Sequence, residues 1–183
     1  VRPDGSVNHL AEFDPVTGEL VRCYGGQGYE EGSAWARGQG WALYGFMISY
    51  LHTGKTDYLD TARKIAQYCV ANIPESGILP LDFRQPKEPA YEDSCGACVI
   101  AGGLLEFACC ASANEREIYR RAAIKILRAI ADERADFGDS CDAIVKGCSA
   151  AYHSPAHDMT MNYADYFFIE AVYKLKGTGK LLW

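Results

Sequence analysis

An all-α fold, built as part of an (α/α)6 toroid, is predicted by three features of this 183-residue sequence. Five segments have the apolar periodicity and length of helices. They alternate between helices apolar nearly all round and helices with one apolar stripe, and the two long connections join one helix pair to the next. A helix apolar on every side must be buried on every side, whereas a striped one faces water. Inner helices lining a cavity and outer helices shielding them satisfy both demands. A solenoid of helix hairpins would alternate in the same way, but it needs an internal repeat that the sequence does not show.

The elements follow in order. Val1 to Gly28 contains Asp14-Pro15-Val16-Thr17-Gly18 between apolar residues, a turn suited to a short β-hairpin. The first helix, about Ala34 to Leu51, is apolar throughout and is closed by Gly54. The second, about Tyr58 to Ile73, sets Ala62, Ile65, Ala66, Cys69 and Val70 against Arg63, Lys64 and Gln67. Pro74 to Tyr91 is a proline-rich rim loop. The third helix, about Ser94 to Ala111, is capped by Asp93 or Ser94 and has Glu106 as its single charge. The fourth, about Glu115 to Arg134, is again striped. A second long connection, Asp136 to Met161, leads to an aromatic fifth helix, Asn162 to Leu175, that stops near Gly177. Five helices do not close a ring, so residues 1–183 read as a single, partial toroid domain. Its open edge exposes inner-helix flanks and invites self-association.

Composition narrows the function classes. Apolar residues make up 49% and charged residues 23%, as in a globular domain with a real core. A net charge of -6 with no Lys/Arg block argues against nucleic acid as a partner. No apolar run reaches membrane-spanning length, so no membrane partner is expected either. Of the eight cysteines, Cys69, Cys95, Cys98, Cys109 and Cys110 fall in apolar helical patterns and read as packing thiols, which points to a cytoplasmic setting, with the periplasm as the alternative. Cys141, Cys148, His153 and His157 have mixed zinc-ligand chemistry, but their spacing fits no compact knuckle; no metal or cofactor is expected.

The most informative stretch is Gln27 to Trp41, Gln-Gly-Tyr-Glu-Glu-Gly-Ser-Ala-Trp-Ala-Arg-Gly-Gln-Gly-Trp. It puts Arg37 in the first turn of an apolar helix, where the helix dipole disfavours a cation by up to about 1 kcal/mol unless an anion is near. One reading is an acidic sugar: Arg37 pairs with its carboxylate, Trp35 and Trp41 stack on its ring, and Gly38 and Gly40 clear space. The other is a packed core in which Arg37 pairs with Glu30 or Glu31.

Gly5-Ser6-Val7-Asn8-His9-Leu10, Phe13-Asp14-Pro15, Gln27-Gly28-Tyr29 and Ser33 to Phe46 resemble the unsaturated glucuronyl hydrolases of glycoside hydrolase family 88. Asp93-Ser94-Cys95-Gly96-Ala97 and Ala164-Asp165-Tyr166-Phe167 agree with later motifs of that family. The resemblance spans essentially the whole chain. It implies a toroid that removes a 4,5-unsaturated uronic acid from the non-reducing end of oligosaccharides made by polysaccharide lyases, by hydrating the C4=C5 vinyl ether. A rhamnogalacturonyl hydrolase or a non-catalytic acidic-sugar-binding fragment is the alternative. By motif position it assigns substrate contacts to His9, Gln27, Arg37 and Trp41, a wall to Trp35, and a neighbouring-sugar contact to Tyr152. The family's catalytic aspartates lie before the segment that matches His9. This predicts a C-terminal half without its proton donor, with Asp14, Asp93 and Asp165 structural and Asp158 unexplained.

Overall fold

Apolar periodicity sets the helices within one or two residues of their predicted ends. The computed structural model describes residues 1–139 and 141–178. An antiparallel hairpin, β1 (Leu10–Phe13) and β2 (Leu20–Tyr24), precedes α1 (Ala36–Thr53), α2 (Thr56–Asn72), α3 (Ser94–Cys110), α4 (Ala113–Glu133) and α5 (Asn162–Leu175). The hairpin turns where Asp14 Oδ1 accepts the Val16 and Thr17 N–H groups, both at 2.8 Å. This local bond is why Asp favours such turns.

α1 begins at Ala36, two residues later than the periodicity suggests, because the rim loop claims the preceding backbone. The Ala34 N–H donates to Asp82 Oδ1 at 3.0 Å, Phe83 N–H to the Ala34 carbonyl at 2.9 Å, and Ala36 N–H to the Leu81 carbonyl at 2.9 Å. The helix ends where Gly54 enters the left-handed region at φ 68° and donates to the Tyr50 carbonyl.

The expected layering is present in part: α1 and α5, read as buried on most sides, each bury one face, Leu43, Tyr44 and Met47 on the first and Ala164, Phe167, Phe168 and Ala171 on the second. α3 is buried along almost its entire length and packs against α1, α4 and α5, while α2 backs α1. α2 and α4 bury one stripe each, Ala62, Ile65, Ala66 and Cys69 on the first and Tyr119, Ala123, Ile126 and Ile130 on the second. Phe107, Leu43, Met47, Ile65, Ile100, Leu104 and Ile126 fill the space between the layers. At their inner edges α1 and α5 also meet, with the rings of Trp41 and Tyr44 edge-on to Phe167 at 5.2 and 5.4 Å.

Two connections were predicted as long loops, and both are tied down by isolated bridges. Trp35 pairs with Asp82 and Pro80 with Glu92 in the first; Ala135 pairs with Val145 and Cys148 with Met159 around the second. They bring residues distant in sequence to the N-terminal end of α1.

Candidate functional site

The Gln27–Trp35 segment has little regular structure of its own, so its shape is imposed by side chains from elsewhere. Asp82, fully buried, is the hub. Its Oδ2 accepts the Tyr29 N–H at 3.0 Å and the Ser33 hydroxyl at 2.6 Å, and its Oδ1 accepts the N–H groups of Ala34 and Arg84 at 3.0 and 2.8 Å. Four donors saturate this carboxylate. Gly28 passes so close that a Cβ there would sit 2.5 Å from Asp82 Oδ2. Arg2 and Arg84 both donate to the Gly32 carbonyl, at 2.6 and 2.8 Å. Gln39, buried on α1, donates to the Gly5 carbonyl and accepts the Val7 N–H, fastening the segment before His9.

Held in this way, the predicted residues form one connected strip. The half-buried His9 ring packs against Trp35, with centroids 4.6 Å apart and planes tilted by 30°, and its Nδ1 accepts the Gln27 N–H at 2.8 Å. A neutral imidazole accepting at Nδ1 carries its proton on Nε2. Burial also lowers the His9 pKa, so above its usual range His9 is a neutral Nε2–H donor. The Gln27 side-chain amide donates to the Ala150 carbonyl at 2.8 Å, and no donor to its oxygen is found among the described residues. Tyr152 is buried; its backbone N–H donates to the Gln27 carbonyl and its hydroxyl to the Pro89 carbonyl at 2.7 Å. It therefore braces the site. Trp35 is buried as well, and its indole N–H has no acceptor among the described residues.

Arg37 departs from the sugar-gripping expectation. Only 3% of it is exposed, and each guanidinium nitrogen already has a protein acceptor. Nε donates to Asp93 Oδ2 at 2.8 Å, Nη1 to the Tyr163 hydroxyl at 2.8 Å, and Nη2 to the Ser149 carbonyl. The anion that the helix dipole demanded is Asp93, neither Glu30 nor Glu31. Burial works against the Arg37 charge, but Asp93 holds its pKa above the usual value; burial pushes Asp93 up, against the pull of Arg37 and the Ser149 N–H. Gly38 and Gly40 also serve packing rather than ligand clearance. A Cβ on Gly38 would lie 2.9 Å from the Trp35 ring, and one on Gly40 3.0 Å from Val99 of α3.

Sequence reading missed Tyr163, the link in the middle of the strip. It joins Arg37 to Trp41, whose ring lies 6.2 Å away, and these two aromatics are 36% and 38% exposed. A buried arginine implies a carboxylate partner, yet Asp93 lies 56 residues away and Tyr163 126, so no local spacing pointed to either.

The remaining candidates have structural places. Asp165 Oδ1 accepts the Ile144 and Val145 N–H groups, and Asp158 occupies the left-handed region at φ 52°. His153 meets the Tyr29 carbonyl and His157 stacks on Tyr91 at 3.6 Å; among the described residues no three His, Cys, Asp or Glu side chains gather as a metal site. Burial pushes the Cys69 and Cys148 thiols up to about 12, leaving them un-ionised near neutrality.

Fold and strip together define a helical-hairpin protein whose buried layer carries an aromatic and cationic band at one end. No family model matches the chain. In sequence it is 35% identical over 181 residues to the unsaturated glucuronyl hydrolase of Bacillus sp. (strain GL1), covering 96% of this chain and 48% of that one. The crystal structure of the unsaturated glucuronyl hydrolase of Bacillus sp. GL1, described as responsible for glycosaminoglycan degradation, superposes with a TM-score of 0.89 at 33% identity over 96% of this chain and 48% of that one. An unsaturated glucuronyl hydrolase specific for heparin gives 0.87 at 29% identity over 98% and 51%. By sequence and by fold this chain is a relative of the unsaturated glucuronyl hydrolases, as its motifs imply. It spans about half the length of the relatives it matches.

Proposed function

We propose that the chain contributes the sugar-holding wall of a hydrolase that releases 4,5-unsaturated uronic acid from lyase-derived oligosaccharides, within an α/α toroid. The observation that carries this reading is the continuous strip His9, Trp35, Arg37, Tyr163, Trp41 in a chain so similar to the unsaturated glucuronyl hydrolases. The exposed Trp41 indole suits the apolar face of a sugar ring. His9 offers an Nε2–H donor, and Gln27 an amide oxygen that no described residue occupies. Arg37 acts from behind, as a buried cation locked to Asp93.

The reaction begins with a proton delivered to C4 of the vinyl ether and water added at C5; the hemiketal then collapses and frees the aglycone. A proton donor must have an oxygen to spare. Asp82 and Asp93, the buried carboxylates nearest the strip, are engaged by Tyr29, Ser33, Ala34 and Arg84, and by Arg37 and Ser149. The roles we assign to this chain's strip are binding and orientation.

One experiment separates these readings. The chain is incubated with an unsaturated glucuronyl disaccharide while the ultraviolet absorbance of the C4=C5 bond and the binding heat are followed in parallel. Loss of absorbance assigns hydrolysis to the chain itself. Binding without loss leaves it the sugar-holding role, and neither signal sinks the proposal.

A further inference from the structure

Tyr163 presents a hydrogen-bond proton that no described residue uses. Its hydroxyl accepts from Arg37 Nη1 at 2.8 Å, on the side of the oxygen that faces the buried guanidinium. Arg37 has no lone pair to offer, so the phenolic proton must turn away from it. No described group accepts that proton, and the ring is 36% exposed beside the 38% exposed Trp41. A hydroxyl that accepts from a cation is also polarised into a stronger donor. Burial raises the Tyr163 pKa, which keeps the phenol protonated near neutrality.

We infer that Tyr163 is a specificity-determining residue whose O–H donates to the carboxylate of the sugar acid, with Trp41 carrying the ring. This rests on the proposed sugar-binding reading and deepens it. The guanidinium expected to grip the acid directly is buried and occupied, so the contact at the surface passes to the phenol that it orients. A carboxylate oxygen is the fitting acceptor because its negative charge makes it the strongest acceptor on a sugar acid, in a charge-assisted bond roughly twice as strong as a neutral one. Replacing Tyr163 by Phe removes that proton and keeps the ring against Trp41.

The test uses the 183-residue chain and two ligands, an unsaturated glucuronyl disaccharide and its methyl ester, with binding read by tryptophan fluorescence and calorimetry. Tyr163→Phe is expected to weaken the acid by about tenfold, the size of a lost hydrogen bond to a charged group, and to weaken the ester, whose carbonyl is a neutral acceptor, by clearly less. Trp41→Ala is expected to weaken both. If Tyr163→Phe binds the acid as wild type does while Trp41→Ala weakens both ligands, the Tyr163 assignment is overturned and sugar binding stands. An equal loss of both ligands in Tyr163→Phe marks a packing effect and also overturns it. If the wild-type chain binds neither ligand, both this inference and the sugar-holding role fail.

Discussion

Arg37 and Asp93 are each almost fully buried, and each is acceptable there only because of the other. Taking one charge away strands its partner, which typically costs about 3–5 kcal/mol. Asp93→Ala should therefore lower unfolding free energy by that amount in urea titrations; a loss under about 1 kcal/mol, the size of an exposed pair, would contradict the burial argument. His9 makes a second prediction. Its pKa is lowered by burial, so as pH falls the unfolded chain takes up this proton first, near pH 6.5, and stability declines below that point until the folded ring protonates too. Protonation also ends the bond from the Gln27 N–H. Nitrogen NMR should show an Nε2–H tautomer with a midpoint below 6.5, and a midpoint above it would refute the assignment. That His9, Gln27 and Trp35 come together was legible because motifs mark positions. Whether a side chain faces a ligand or a buried partner depends on contacts that no motif records, and Arg37 and Tyr152 show this.

At the scale of elements, helices supply rigid positions and loops are fastened to them by single side chains. Asp82 gathers four donors from the segment between the hairpin and α1 and from its own loop. Asp82→Ala would leave buried N–H groups unpaired at about 1–3 kcal/mol each. Hydrogen exchange at Tyr29 and Ala34 should accelerate far more than at the centre of α3, and uniform acceleration would mean that the hub is not local. Glu106, the lone charge on α3, has its counterpart on α5. Lys174 Nζ lies 2.9 Å from Glu106 and 3.4 Å from Glu170, which in turn accepts the Tyr44 hydroxyl at 2.7 Å. Periodicity placed these helices well, because apolar stripes are a local property. It was silent on the clamp between α1, α3 and α5, which exists only after packing.

At the scale of the whole molecule, apolar surface remains uncovered in the 183-residue chain. Leu51 of α1 and Ile169 and Tyr173 of α5 are 40–53% exposed, on helices whose sequences are apolar nearly all round. An exposed inner-helix flank favours association, so light scattering should show the average mass rising with concentration, and Ile169→Lys with Tyr173→Lys should return it to that of one chain. A constant monomer mass in the unmodified chain would remove the self-association proposal. By itself the sequence determined the helices, the full burial of α3, the striped burial of α2 and α4 and the motif positions of the candidate site, since periodicity, glycine stops and short motifs are written in neighbouring residues. Only the tertiary structure decided that Arg37 is spent on Asp93, that Asp82 holds the site loop and that Tyr163 stands at the surface beside Trp41. Those pairings join residues tens to more than a hundred positions apart, and desolvation, which selects them, does not act until the chain has closed around them.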